Sequence, residues 1–246
     1  MTNALAAALA TPIADHARAA HSPCTVCASR KVCFIGTLSE PHLSSIVPLL
    51  REVSFKNHDQ LLIEGAVSDH IKIIKLGTVI GQRRGPDGVQ RPVALFGRGH
   101  VLGKYALVGH PNALEATALS AGRLCVLRVD ELRQTQNTVP AFLAGLHGAM
   151  VRAFGCLADW SQVMRQRGLQ RQLHASLQLL GKEQGQRVVR IPSHTALAAL
   201  LSTRRESVAR TIRQLEETQL VRRIDRWHRE VIAAFPNGPE SPPEKD

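Results

Sequence analysis

The chain has 246 residues, 44% of them hydrophobic and 4% aromatic, with a formal net charge of +11 and a pI near 10.2. That length suits one large domain or two ordinary ones, and the basic balance points to an anionic partner, nucleic acid or an acidic surface. Five cysteines, an odd number unevenly spread, exclude a disulfide framework, and no uninterrupted apolar run reaches the roughly 18 residues of a membrane span, so reduced thiols in a soluble cytoplasmic protein are expected.

Residues 1–22 are alanine-rich, without a basic n-region, and Asp15 and His16 interrupt them; they read as a flexible arm and not a signal peptide. Cys24, Cys27 and Cys33 follow at C-x2-C-x5-C spacing, and Cys125 stands alone about a hundred residues later. Four soft thiolates can enclose an iron–sulfur cube or a tetrahedral zinc ion, the latter also with three sulfurs and His21. The residues alone leave these two open. Ala28 follows Cys27 where c-type haem attachment needs His. Cys156 lies outside the motif and reads as a buried thiol.

Ser39 to Val47 has the pattern of a short helix, with Ser39 placed to cap it and Pro41 in its first turn. Beyond Val53 the pattern turns to short apolar or alternating runs: 60–63, 71–76, 78–83, 89–96, 113–119 and 123–129. Glycine-bearing turns separate them, Asp87-Gly88 being the strongest hairpin signal. Such a series predicts a barrel or jelly roll. A short helix is expected from Asp130 to Thr138. Pro140 then opens a long helix, in which Leu143, Leu146, Met150, Ala153, Leu157, Trp160 and Met164 recur at spacings of three and four. That stripe suits pairing with a second copy; the alternative is packing on the chain's own barrel. The tail from Pro236 is polar and proline-rich and is expected to be disordered.

Between Arg165 and Pro236 there are 14 Lys and Arg against 6 Asp and Glu, a net of +8, so most of the excess charge sits there. Within it, Leu197, Leu200 and Leu201 precede a tight turn at Ser202-Thr203, and Val208, Ile212 and Leu215 follow at i, i+4 and i+7. This is the pattern of a helix-turn-helix. The second helix would present Arg205, Glu206, Ala209, Arg210 and Arg213 to DNA. Arginine bonds guanine through two hydrogen bonds, and glutamate accepts from cytosine. Arg222, Arg223, Arg226 and Arg229 in the next alternating segment suit a β-wing over phosphates. No nucleophile elbow, Walker loop, Rossmann fingerprint or His-Glu-x-x-His occurs, so no enzyme is expected.

In this order of parts, with Glu206 and Arg210 in an E-x-x-x-R arrangement, the chain resembles the Crp/Fnr superfamily of bacterial transcription regulators. Its four cysteines are similar to those of the oxygen-sensing Fnr branch. The resemblance implies an α+β chain: an N-terminal cyclic-nucleotide-binding-like β-roll, a long dimerisation helix and a C-terminal winged helix-turn-helix. It divides the chain into an arm (1–22), a cysteine cluster with β-roll sensor (23–139), a dimerisation helix (140–168), a DNA-binding domain (169–236) and a tail (237–246). It implies a [4Fe–4S] cluster on Cys24, Cys27, Cys33 and Cys125 that reports oxygen or redox state. It also implies a homodimer through Leu146, Met150, Ala153, Leu157, Trp160 and Met164, a palindromic site on double-stranded DNA, and contact with RNA polymerase. Where the cyclic-nucleotide branch has glutamate, this chain reads Gly103-Lys104-Tyr105, and no Arg occurs from Lys104 to Gly122, so cAMP is not expected. Arg205 and Ala209 resemble the cAMP-receptor branch and imply a TGTGA-like half-site. Leu157 stands where the type protein of the Fnr branch has an aspartate, which implies a more apolar dimer seam.

Overall fold

The structure is a computed structural model, and it describes residues 24–135 and 139–232. The expected arm at 1–22, His21 and the expected tail at 237–246 lie outside the described residues. The chain forms two compact units that divide between Leu157 and Ala158, inside the long helix and not at either of its ends.

The first unit contains eight strands in two antiparallel sheets: β1 (Arg51–Phe55), β2 (Gln60–Leu62), β3 (His70–Leu76), β4 (Val79–Arg84), β5 (Gln90–Phe96), β6 (Val101–Leu102), β7 (Glu115–Ala118) and β8 (Gly122–Arg128). The orders are β1-β8-β3-β6 and β2-β7-β4-β5. Both sheets send apolar residues to one interior, including Phe55, Leu61, Ile74, Val79, Phe96, Ala116 and Leu124. The expected strands are all present, with ends differing by one or two residues; β1 and the two-residue β6 carry too short a pattern to stand out. Asp87 and Gly88 lie in the β4–β5 hairpin loop, where Asp87 accepts a hydrogen bond from the Val89 amide.

A second core lies on the outer face of the β1-β8-β3-β6 sheet. It gathers Phe34 and Ile35 from the cysteine loop with Leu43 and Ile46 of α1 (Glu40–Ile46). Ile71 and Ile73 of β3 and Leu127 of β8 join them, with Leu132 of α2 (Val129–Arg133) and Phe142, Leu146 and Ala149 of α3 (Val139–Arg165). The two-residue period of a strand explains the division: on β8, Leu124 faces the interior while Cys125 and Leu127 face outward. Ser39 occupies the N-cap position of α1, but its hydroxyl bonds His42 Nδ1 at 2.8 Å and not the helix backbone. α2 is shorter than the expected helix over 130–138, of which 136–138 lie outside the described residues.

Two glycines let the cysteine loop seat closely. A Cβ on Gly145 of α3 would stand 3.0 Å from the Phe34 ring, and one on Gly99 would stand 2.3 Å from the Val32 carbonyl oxygen. Gly99 also has φ +81°, a conformation that favours glycine. The Phe34 ring meets Phe142 edge to face at 5.0 Å between centroids, an arrangement that adds about 1 kcal/mol beyond the area buried.

The second unit holds α4 (Leu169–Gln184), β9 (Val188–Arg190), α5 (His194–Leu200), α6 (Arg205–Glu217), β10 (Val221–Arg223) and β11 (His228–Val231). The strands pair in the order β10-β11-β9. Ser193 caps α5 by accepting from the Ala196 amide at 3.1 Å. Between α5 and α6 the chain reverses through Ser202 at φ +51°. Val208, Thr211, Ile212 and Leu215 form the buried face of α6, as the spacing of its three aliphatic residues predicts.

Candidate functional site

Cys24, Cys27, Cys33 and Cys125 all line one cavity on the outer face of the first sheet, together with Arg30, Ile73 and Lys75. Its empty volume is about 360 Å³, counting the open mouth. Two separate devices bring the sulfurs there. Sheet register turns Cys125 outward, with Glu52 of β1 and Ile73 of β3 as its cross-strand partners. The loop 24–33 is then tied down by Ser29, whose buried hydroxyl donates to the Lys75 carbonyl at 2.7 Å, and by the Arg30 guanidinium, which donates to the Gly36 carbonyl at 3.2 Å.

The thiols are shielded and close enough to feel one another. Burial, followed by the neighbouring Cys33 sulfur, pushes Cys125 up to about 12. Burial is also the main cause that raises Cys24, with Cys33 and Cys27 adding to it. Burial raises Cys33 as well, while hydrogen bonds from the Gly36 and Ile35 amides favour its thiolate. A bound cation would favour the thiolate form of such thiols, with their protons released to solvent.

Among the described residues, no three cysteine sulfurs come within 4.8 Å of one another. A tetrahedral zinc ion with Zn–S near 2.3 Å requires its sulfurs about 3.8 Å apart. A four-iron cube, with sulfides and irons between its ligands, holds them wider. Four thiolates on one cavity suit either occupant by donor chemistry. Cys156 is apart from them: its sulfur lies 3.4 Å from His100 Nε2 in a buried contact.

α3 has two apolar stripes, not one. Leu146 is 4% exposed in the outer core of the first unit with Phe142 and Ala149, and Trp160, in the second unit, is 3% exposed. They are occupied within the chain, which removes these two residues from the expected dimer seam. Met150 and Ala153 are half-buried, and Leu157 and Met164 are exposed. The outward stripe also holds Leu143 and Phe154, with Val151 beside it; Phe154 is 66% exposed. Sequence spacing missed Phe154 and Val151 because both stripes obey the same heptad interval. By length and composition alone α3 could cross a membrane, but Phe142, Leu146 and Ala149 are built into a protein core.

On α6 the side chains of Arg205, Glu206, Arg210 and Arg213 are exposed and Ala209 is half-buried. In the β10–β11 hairpin Arg222, Arg223 and Arg226 are exposed. Arg229 is not: it is buried, and its Nε lies 2.7 Å from Glu216 Oε1. It ties the hairpin to α6 and is withdrawn from the expected phosphate contacts. The exposed Trp227, with the Arg226 guanidinium 4.8 Å from its ring centroid, adds an aromatic at the hairpin turn that charge counting overlooked.

A second and larger cavity, about 1090 Å³ counted in the same way, opens between the barrel and α3, with Arg83, Gly103, Lys104, Tyr105 and Phe154 in its wall. Among the described residues that line it there is no Asp or Glu to accept from a ribose hydroxyl.

Residues 52–138 match the family model of a cyclic nucleotide-binding domain, and residues 170–233 match that of a Crp-like helix-turn-helix domain. No curated protein matches the chain. Solved structures similar in fold include FixK2 from Bradyrhizobium japonicum, 14% identical with a TM-score of 0.60 over 74% of this chain and 92% of that one. The c-di-GMP responsive global regulator CLP from Xanthomonas campestris is 13% identical, with a TM-score of 0.60 over 80% and 100%. A CRP/FNR family transcriptional regulator from Thermus thermophilus is 23% identical, with a TM-score of 0.55 over 74% and 93%.

Proposed function

The chain belongs to the Crp/Fnr family of DNA-binding transcription regulators, its two family matches being a sensor domain and a DNA-reading domain, and on that premise we propose that it is an Fnr-like regulator of oxygen or redox state. The observation that carries this reading is the convergence of Cys24, Cys27, Cys33 and Cys125 on one cavity. A [4Fe–4S] cluster bound there supplies an oxygen-labile redox centre.

The remaining steps belong to the chain's own residues. Three of the four sulfurs lie on a loop and the fourth on β8, so a group held by all four would add a further tie between loop and sheet. That loop packs on α3 through Phe34 against Phe142 and Gly145. A change at the sulfurs therefore reaches the helix whose outward stripe offers Leu143, Phe154, Leu157 and Met164 to a second copy. The homodimer would place two copies of α6 on a palindromic site, with Arg205, Glu206, Arg210 and Arg213 at the base edges and Arg222, Arg223 and Arg226 near phosphates. RNA polymerase is the further partner in this reading. No cyclic nucleotide is assigned to the second cavity, which has cations but no carboxylate in its wall.

Metal analysis of anaerobically purified protein tests the reading. Iron and acid-labile sulfide in equal amounts are expected, together with a brown colour. Serine at Cys24, Cys27, Cys33 or Cys125 should each abolish the colour, while Cys156→Ser keeps it. Colourless protein with one zinc per chain would overturn the cluster.

A further inference from the structure

The wall of the sulfur cavity carries one lysine, and that lysine is held in an unusual way. Lys75 lies on β3, and its side chain is only 9% exposed. Its Nζ is 2.6 Å from Glu52 Oε2, and the other oxygen of the same carboxylate is 2.8 Å from Arg123 Nη1. The Glu52 side chain is fully buried, in the strand position directly across from Cys125. Unlike Glu52, Lys75 lines the cavity, as Arg30 does. Its backbone carbonyl meanwhile accepts from Ser29 of the cysteine loop.

Burying an ion pair is costly, and apolar residues of similar size are often at least as stable. A pair placed in this way calls for a role beyond stability. We propose that Lys75 is a charge-setting residue for the cluster: Glu52, directly across the strand pair from Cys125, fixes its ammonium beside that position, where it offsets the negative charge gathered by four thiolates and favours the more reduced state of the centre they hold. This rests on the iron–sulfur reading.

The sign of each substitution follows. Removing a positive charge beside the cluster makes reduction harder, and removing a negative charge makes it easier. Lys75→Met, Lys75→Arg and Glu52→Gln would be purified without oxygen beside the unaltered protein and checked for folding by circular dichroism. Each would then be titrated potentiometrically and timed for bleaching in air. Lys75→Met is expected to have the more negative potential and to bleach about fivefold faster, the order of effect of one charge at a partly solvated site. Lys75→Arg should restore the original potential, and Glu52→Gln should shift it the opposite way. If Lys75→Met fails to fold, the Lys75→Arg and Glu52→Gln pair decides alone. Iron-loaded protein whose potential ignores Lys75→Met, or moves the same way in Lys75→Met and Glu52→Gln, overturns the charge role alone. Unaltered protein that carries no iron overturns the cluster reading, and this inference with it.

Discussion

Arg152 of α3 donates a hydrogen bond from its guanidinium to the carbonyl of Val32, 3.0 Å away and one residue before Cys33. The donor sits on the helix that carries the outward apolar stripe, and the acceptor sits on the loop that carries three of the four sulfurs. With Phe34 on Phe142, it gives loop and helix two points of attachment within three residues.

Arg152→Ala should therefore weaken the coupling and leave each part intact. A charged hydrogen bond at the surface is worth about 1 kcal/mol or less, so the melting temperature should change by only a few degrees. The ratio of dimer to monomer with and without oxygen, read by sedimentation velocity, should shrink severalfold. An unchanged ratio would mean that this hydrogen bond does not carry the coupling.

The two stripes of α3 should respond in opposite ways to truncation. Phe154→Ala removes an exposed ring and should cost the folded monomer no more than about 0.5 kcal/mol, while weakening self-association by tenfold or more. Trp160→Ala empties a buried site and should cost about 3–5 kcal/mol of folding stability. Denaturant titration and sedimentation, run on both variants, separate these outcomes.

Two arginines of the DNA-reading unit should also part company. Arg210→Ala should weaken binding to the preferred sequence by about 1–3 kcal/mol and leave binding to random DNA nearly unchanged. Arg229→Ala strands Glu216 beside a buried gap, and should lower the melting temperature of the unit through a loss of roughly 3 kcal/mol. Fluorescence anisotropy on matched and scrambled duplexes, beside a thermal melt, distinguishes base reading from scaffolding.

Ser29→Ala tests the anchor of the cysteine loop. Its hydroxyl is buried and bonds the Lys75 carbonyl, so removal leaves that acceptor unpaired at a cost of about 1–3 kcal/mol. Faster bleaching in air is expected, with DNA affinity of the freshly prepared anaerobic protein within twofold of the original.

Much of this arrangement can be read from the residues. Strand positions follow from period-two alternation between glycine-bearing turns, and α6 follows from Val208, Ile212 and Leu215. What escapes is whatever depends on a distant partner. That Cys125 faces the loop is a matter of β8 register against β1 and β3, which no local pattern shows. That Leu146 packs inward while Phe154 points outward depends on where Phe34 lands on α3, and heptad spacing serves either face equally. Arg229 looks like its exposed neighbours until Glu216, thirteen residues earlier, comes beside it. α4 does carry a helical signal, Leu169, Leu173, Leu177 and Leu180 at spacings of four, four and three, which the expected elements leave out.

The outer core holds the sulfur-bearing loop, while the barrel interior is complete without it. A lineage could therefore discard or rebuild residues 24–37 and retain an intact eight-stranded scaffold. On the proposed function, sensing by sulfur is thus an attachment that mutation can exchange for another input, while the strands beneath and the operator-reading module downstream continue unaltered.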